Sequence, residues 1–176
     1  MGKTRFVLLF MLLCAVCPAS QISFQVVQHD ESAGGKVGEQ SLLVEDGLLT
    51  GFFDSGFIVT NSPAAVSSSA AQDESLWKIG FDDAADGCSD YFVQVRLYFR
   101  PDQDSAGKTS PVLNDIEYSV VSVATGRRTS GKSAVEPEYE RLLRKKNRNS
   151  SGDGLFAGLV ADIKKAIKRN PKDGQI

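Results

Sequence analysis

Apolar and polar residues alternate most regularly between residues 91 and 99, where every odd-numbered side chain is apolar or aromatic. A period of two predicts a half-buried strand. We expect its odd-numbered side chains to be buried against Trp77, Phe81 and the last helix of the chain, while Gln94 faces solvent. The expected core residues of this strand are Tyr91, Val93, Val95, Leu97 and Phe99.

Three further stretches are predicted to join this strand in a small sheet. Residues 112–125 follow a polar loop and are apolar enough to form a hairpin with residues 91–99, with Gly126 turning the chain at the end. Residues 22–28 and 57–61 are shorter apolar segments bounded by polar residues, which is typical of short strands.

Residues 39–54 are predicted to form a helix whose apolar face packs on the sheet. The side chains expected on that face are Leu42, Leu49, Phe52 and Phe53. Gly47 and Gly51 lie four residues apart, on one side, where a helix could approach a sheet closely. Gly56 is the expected C-terminal stop.

Two more helices are predicted with greater regularity. In residues 73–86 the side chains of Trp77, Phe81, Ala84 and Ala85 share a face, and Gly87 ends the helix. Residues 155–169 carry a continuous apolar stripe made of Phe156, Leu159, Val160, Ile163 and Ile167. Residues 138–146 are also compatible with a helix. The order β-α-β-α-β-β-(α)-α predicts a mixed α/β (α+β) domain, a small mixed sheet with helices packed on it.

The amino terminus has the pattern of a secretory signal peptide. Lys3 and Arg5 precede an apolar run, residues 6–16, which is too short to span a bilayer. We expect cleavage after Ala19, so that residues 1–19 are the signal peptide and residues 20–176 form one exported, periplasmic domain. Lipidation at Cys17 is a less favoured alternative, because the bulky Val16 precedes it.

Charge is distributed unevenly along the chain. Residues 20–126 contain 5 basic and 16 acidic residues, whereas residues 127–176 contain 13 basic and 6 acidic residues. The basic excess is concentrated in an insert, residues 137–154, which separates the hairpin from the last helix. The basic side chains of the insert are Arg141, Arg144, Lys145, Lys146 and Arg148. They form a candidate partner surface for an envelope protein, an anionic lipid or a glycan rather than for a nucleic acid.

One segment matches the phosphate-binding pattern G-x-x-x-x-G-K-S. In it, Gly126, Gly131, Lys132 and Ser133 would supply a backbone cradle, a cation for the terminal phosphates and a magnesium ligand. Pro137 and a charged stretch follow in place of an apolar helix, and too few residues remain for the rest of a nucleotide-binding sheet. A hairpin turn between strands is therefore favoured, with a nucleotide-binding protein as the alternative function.

Other candidate chemistry is sparse. His29, Asp30 and Glu31 are adjacent, and adjacent residues rarely converge on one metal ion. Three aspartates, Asp82, Asp83 and Asp86, lack the spacing and glycine of an EF-hand and fit the wet face of a helix. Cys88 is the only cysteine left after cleavage, and its apolar neighbours favour a buried, inert thiol. We therefore expect no catalytic residue, metal or cofactor, and a protein that is not an enzyme.

Three segments carry a resemblance to a bacterial envelope domain: SGFIVTNSP at residues 55–63, DGCSDYFVQVRLYF at residues 86–99 and VVSVATGR at residues 120–127. This domain is shared by the amino-terminal part of the Tol-system propeller protein, the curli secretion lipoprotein and the lipoprotein activators of penicillin-binding proteins. Its entry to the central strand and its T-G turn correspond to residues 88–91 and 125–126. The resemblance implies a non-enzymatic adaptor or assembly factor of the cell envelope.

Overall fold

The computed structural model describes residues 19–30, 35–103, 109–135 and 156–171. Residues 1–18 of the predicted signal peptide, including Cys17, therefore lie outside the described residues, as do the predicted helix at 138–146 and the basic insert. The helices and strands, in chain order, are β1 (Gln21–His29), α1 (Glu39–Asp54), β2 (Ile58–Asn61), β3 (Ala65–Val66), α2 (Ala70–Asp86), β4 (Tyr91–Gln103), β5 (Thr109–Ser122), β6 (Arg128–Ser133) and α3 (Ala157–Arg169).

The strands form one mixed sheet of six strands with the order β2-β1-β4-β5-β6, and β3 also pairs with β1. Strand β1 runs parallel to β2, β3 and β4, while β5 is antiparallel to both β4 and β6. The predicted hairpin is confirmed, with Val93 opposite Val120. Three helices pack on this sheet, which confirms the mixed α/β prediction.

The two faces of the sheet are covered by different helices. Helices α1 and α3 cover the face that carries the odd-numbered side chains of β4, and Phe24, Phe52 and Ile163 are fully buried there. Helix α2 covers the opposite face, where Trp77 and Phe81 pack with Phe92. Burial of Tyr91, Val93, Val95 and Leu97 is thus confirmed, and they share one core cluster with the last helix. Phe99, the fifth predicted core residue of this strand, is only partly buried.

Two expectations about β4 are wrong. Trp77 does not contact the odd-numbered face but meets the ring of Phe92 edge-on, at 5.1 Å between centroids. Gln94 is 1% exposed, and its Nε2 donates to Gln25 Oε1 at 3.2 Å. The physical reason is the parallel pairing of β1 with β2 and β4, because helical crossovers then lie against both faces of the sheet.

The predicted apolar face of α1 is also wrong, although the bounds of this helix are as predicted. Phe52 is fully buried, but Leu42, Leu49 and Phe53 are exposed. The residues that α1 buries are Ser41, Val44, Gly47, Leu48 and Phe52. A β-carbon on Gly47 would lie 2.5 Å from the ring of Phe156, so this glycine faces α3 rather than the sheet.

Cys88 is exposed, and its expected burial is wrong. It has φ 55°, and the N–H groups of Cys88 and Ser89 donate to the carbonyl groups of Ala85 and Ala84. This is the Schellman arrangement that ends a helix, with Cys88 at the position that usually holds glycine. The tight turn directs the thiol to solvent.

The last helix follows its prediction closely. Phe156, Leu159, Val160, Ile163 and Ile167 are all buried against the rest of the core. None of the helices in the described part of the chain is long and apolar enough to cross a membrane.

Candidate interaction surface

The outward side of α1 is apolar. Leu42, Leu49 and Phe53 are 49%, 39% and 71% exposed. Spacings of seven and four residues place them on one side of a helix, one above the other. We call these three side chains the α1 outer face. Scattered exposed apolar residues are normal, whereas an aligned set on one helix is typical of an interaction surface.

Acidic residues border the α1 outer face. The helix contains Glu39, Glu45, Asp46 and Asp54 and no lysine or arginine. Oε1 of Glu45 accepts a 2.7 Å hydrogen bond from Asn61 Nδ2 of β2. This arrangement can receive an apolar side chain at the centre and cationic groups at the rim.

Buried contacts fix the position of α1. The Phe52 ring meets the rings of Phe24 and Phe57 edge-on, at centroid distances of 5.9 Å and 6.3 Å. At the start of the helix, Gln28 Oε1 accepts from the Gly38 N–H and the Ser41 hydroxyl, both at 2.7 Å. Because Gly38 has no side chain to cap the helix, the buried Gln28 amide orders this end of α1 in its place.

At the other end of the helix, Lys164 Nζ donates to Ser55 Oγ at 3.2 Å. This contact joins α1 to α3 just beyond Asp54. Helix α1 is therefore held at both ends, and the α1 outer face is presented by a fixed element.

The structure contradicts the phosphate-binding interpretation of residues 126–133. Gly126 makes the turn with φ 68°, but residues 128–133 form strand β6, antiparallel to β5. Lys132 Nζ lies 2.9 Å from Glu117 Oε1, whereas the Ser133 hydroxyl donates to Asp162 Oδ2 of α3 at 3.2 Å. Successive side chains of a strand point to opposite faces, so Lys132 and Ser133 cannot converge on one phosphate.

Gly131 has a packing role in β6. It lies directly opposite Tyr118 in the ladder, and a β-carbon there would come within 2.4 Å of the Tyr118 hydroxyl. The glycine leaves space for that ring.

Helix α2 covers only part of its face of the sheet. The part of that face beyond the helix carries polar side chains, among them Tyr98, Glu117 and Lys132. Glu117 accepts from the Tyr98 hydroxyl at 3.1 Å and pairs with Lys132. The Lys132 hydrogen bond is the main reason why the pKa of Glu117 lies below its usual value. Burial is the main reason why the pKa of Tyr98 is raised.

His29 lies at the edge of this polar region. Its ring stacks on Tyr98 with 4.6 Å between centroids, and its Nε2 is 3.3 Å from Asp73 Oδ1. Burial lowers the pKa of His29, and the opposing effect of Asp73 is smaller. We therefore treat His29 as a neutral ring at neutral pH rather than as one half of an ion pair.

The residues weighed as metal ligands lie on different elements, and Glu31 lies outside the described residues. His29 contacts Asp73 of α2, and Asp82, Asp83 and Asp86 are exposed on α2. Over the described residues, no three histidine, cysteine or acidic side chains are grouped so that they could hold a metal ion.

The basic residues Arg141, Arg144, Lys145, Lys146 and Arg148 lie outside the described residues, so that candidate surface stays a prediction. The sequence prediction does not find the α1 outer face, because it places Leu42, Leu49 and Phe53 in the core. The sequence does contain an indication of it, since Val44 and Leu48 form a second apolar stripe on the same helix. Two apolar stripes on one helix indicate that one of them faces outward.

The chain is similar in structure to several solved proteins, and its sequence matches one family model. No curated protein matches the sequence significantly. A PelC dodecamer from Paraburkholderia phytofirmans has a TM-score of 0.43 and 9% identity, covering 80% of this chain and 87% of PelC. The lipoprotein GNA1162 from Neisseria meningitidis has a TM-score of 0.42 and 12% identity, covering 87% of this chain and 100% of GNA1162. Residues 21–147 match the model of a family described as "Uncharacterised protein", and the chain belongs to that family.

Proposed function

We propose that this chain is a non-enzymatic accessory or assembly protein of the bacterial cell envelope, which is exported to the periplasm and acts through protein–protein contacts. The export pattern of residues 1–19 and the resemblance to envelope domains support the compartment and the class of function. The α1 outer face supports the mode of action, and it is the single observation that carries the proposal.

The partner we propose for the α1 outer face presents apolar side chains bordered by lysine or arginine. Phe53 is the most exposed large apolar side chain of the described residues, at 71%. Aromatic side chains at the centre of an interface often carry much of its binding energy. The four acidic residues of α1 would repel an acidic partner and attract a basic one, and this effect weakens as salt is added.

Affinity capture from an envelope extract tests this proposal when wild type is compared with matched variants. We expect the double substitution Leu49→Glu and Phe53→Glu to abolish recovery of the partner that wild type retains. Ile79→Glu is the control, because Ile79 is also exposed but lies on α2, on the other face of the sheet. Equal recovery by the double variant and by wild type would contradict the proposal.

The basic insert is a second proposed contact site, for an anionic lipid, a glycan or an acidic protein. Five of its residues, between 141 and 148, are lysine or arginine. Such a cluster attracts polyanions through a field that salt screens within about 8 Å.

A further inference from the structure

Arg96 and Arg128 lie on the face of the sheet that α2 covers. Each donates a hydrogen bond to a neighbouring polar side chain of the sheet. Arg96 of β4 donates from Nε to Gln94 Oε1 at 3.3 Å. Arg128 of β6 donates from Nη2 to Ser119 Oγ at 3.0 Å. Gln94 and Ser119 are directly opposite each other in the β4–β5 ladder, where side chains start about 5 Å apart. The two guanidinium groups are therefore brought together over the middle strands of the sheet.

Neither guanidinium group forms a direct ion pair with a carboxylate of the described residues, although the charge of Arg96 contributes to lowering the pKa of Glu117. Of the residues that the structure describes, none places a carboxylate oxygen within 4.0 Å of Arg96 or Arg128. The acidic residue opposite Arg96 in the ladder is Glu117, and it is engaged by Lys132 at 2.9 Å and by Tyr98 at 3.1 Å. Burial, followed by the charge of Arg96, lowers the pKa of Arg128, as expected for two cations that share a partly desolvated site.

Arg128 is held in place by an aromatic ring. Its guanidinium carbon lies 3.7 Å from the ring centroid of Trp77, a cation–π contact that fixes the plane of the group. The hydroxyl groups of Ser119 and Ser130 lie 2.8 Å apart beside it. Arg96 also hydrogen-bonds to the Tyr98 hydroxyl. Because a guanidinium carries five N–H donors, the contacts that Arg96 and Arg128 make with described residues leave donors on both groups for a further acceptor.

We propose that Arg96 and Arg128 together bind an oxyanion, a phosphate or carboxylate group that accepts hydrogen bonds from both guanidinium groups. The planar donors of arginine match the spacing of two oxygens on such a group.

Trp77 provides a direct readout because it is the only tryptophan of the chain. Titration of the purified protein with inorganic phosphate, at constant ionic strength set by sodium chloride, should change the tryptophan fluorescence in a saturable way. Parallel titrations with succinate, and with vesicles of phosphatidylglycerol or phosphatidylcholine, distinguish a free phosphate, a carboxylate and a lipid headgroup as the source of the oxyanion.

The decisive variant is Arg96→Gln, which removes one guanidinium and leaves the Arg128–Trp77 contact in place as the reporter. We expect it to weaken oxyanion binding about tenfold or more, as the loss of a charge-assisted hydrogen bond predicts. Arg127→Gln is the matched control, because Arg127 is an exposed neighbour of Arg128 outside strand β6, and it should change the affinity less than about twofold.

If Arg96→Gln fails to fold, Arg96→Lys replaces it, since lysine keeps the charge and loses the planar donors. That variant should also bind the oxyanion more weakly than wild type. Equal affinity of wild type and the folded Arg96 variant would overturn the proposal. So would fluorescence that responds to none of the oxyanions beyond the sodium chloride control.

Discussion

The ring of Phe156, just ahead of α3, occupies the space that a β-carbon on Gly47 of α1 would need. The ideal β-carbon position lies 2.5 Å from Cδ2 of that ring, and the corresponding position on Gly51 lies 2.7 Å from Val160 Cγ2. Two glycines one helical turn apart thus allow α1 and the chain around the start of α3 to approach closely.

Gly47→Ala should destabilise the protein although alanine is the better helix former. The gain in helix propensity is about 1 kcal/mol, whereas an added methyl group in a packed site typically costs about 1–3 kcal/mol. Urea unfolding measures the difference. The double variant Gly47→Ala and Phe156→Leu should recover part of the loss, because the residues are in contact. Strictly additive effects of the two substitutions would contradict this packing account.

Phe52 and Phe53 should differ sharply in their effect on stability. Phe52 is fully buried, and Phe52→Ala should cost about 3–5 kcal/mol of unfolding free energy. Phe53 is 71% exposed, and Phe53→Ala should change the same quantity by less than about 0.5 kcal/mol. Chemical denaturation of the two variants checks this, and similar losses would show that the α1 outer face is part of the core.

Lys132→Ala should raise the pKa of Glu117 toward its usual value, because the Lys132 hydrogen bond is the main cause of its depression. A carboxyl group with a depressed pKa stabilises the folded state above its usual pKa, and this stabilisation is lost as the pH falls through the folded-state value. The variant should therefore lose less stability than wild type on acidification. NMR titration of the Glu117 carboxyl measures the pKa directly.

The matched control for this titration is Lys78→Ala, since Lys78 pairs with Asp82 on α2, away from Glu117. It should leave the pKa of Glu117 unchanged. Because the Lys132 side chain is 70% exposed, neither substitution should move the thermal midpoint much at neutral pH. An unchanged pKa of Glu117 in Lys132→Ala would contradict the observed pairing.

The elements of the fold were largely predictable from local patterns. The α3 stripe indicated its helix and its buried side correctly, and the alternation in β4 indicated the strand and one of its two buried faces, because one period dominates each segment. Which helix covers each face of the sheet was not predictable in this way. The burial of Gln94 depends on α2 and on its bond to Gln25, 69 residues away in sequence, and alternation within β4 contains no information about either.

The candidate surfaces show the same limit. Helix α1 has apolar residues on more than one side, so periodicity alone could not decide whether Leu48 or Leu49 is buried. The phosphate-loop pattern failed for a related reason. It specifies the order of residues along the chain but not the face of the sheet to which each side chain points. Pairing of β6 with β5 separates Lys132 from Ser133.

The basic insert should contribute binding rather than stability. Replacing Arg144, Lys145 and Lys146 by glutamine should weaken salt-sensitive binding to anionic vesicles or acidic polysaccharide and leave the thermal midpoint nearly unchanged. Cosedimentation at low and high salt measures the binding, with Lys78→Gln as a control for charge. A substantial fall in the midpoint would instead show that the insert is an internal clamp on the acidic part of the chain.

Site-specific photo-crosslinking in the native envelope tests the central claim most directly. A photoreactive amino acid in place of Phe53 should give a discrete adduct with one partner protein, and that adduct should disappear when Leu49→Glu is added. The same amino acid in place of Ile79 should give no such adduct, since Ile79 is exposed on α2. An adduct at Ile79 but none at Phe53 would contradict the claim that the protein acts through the α1 outer face.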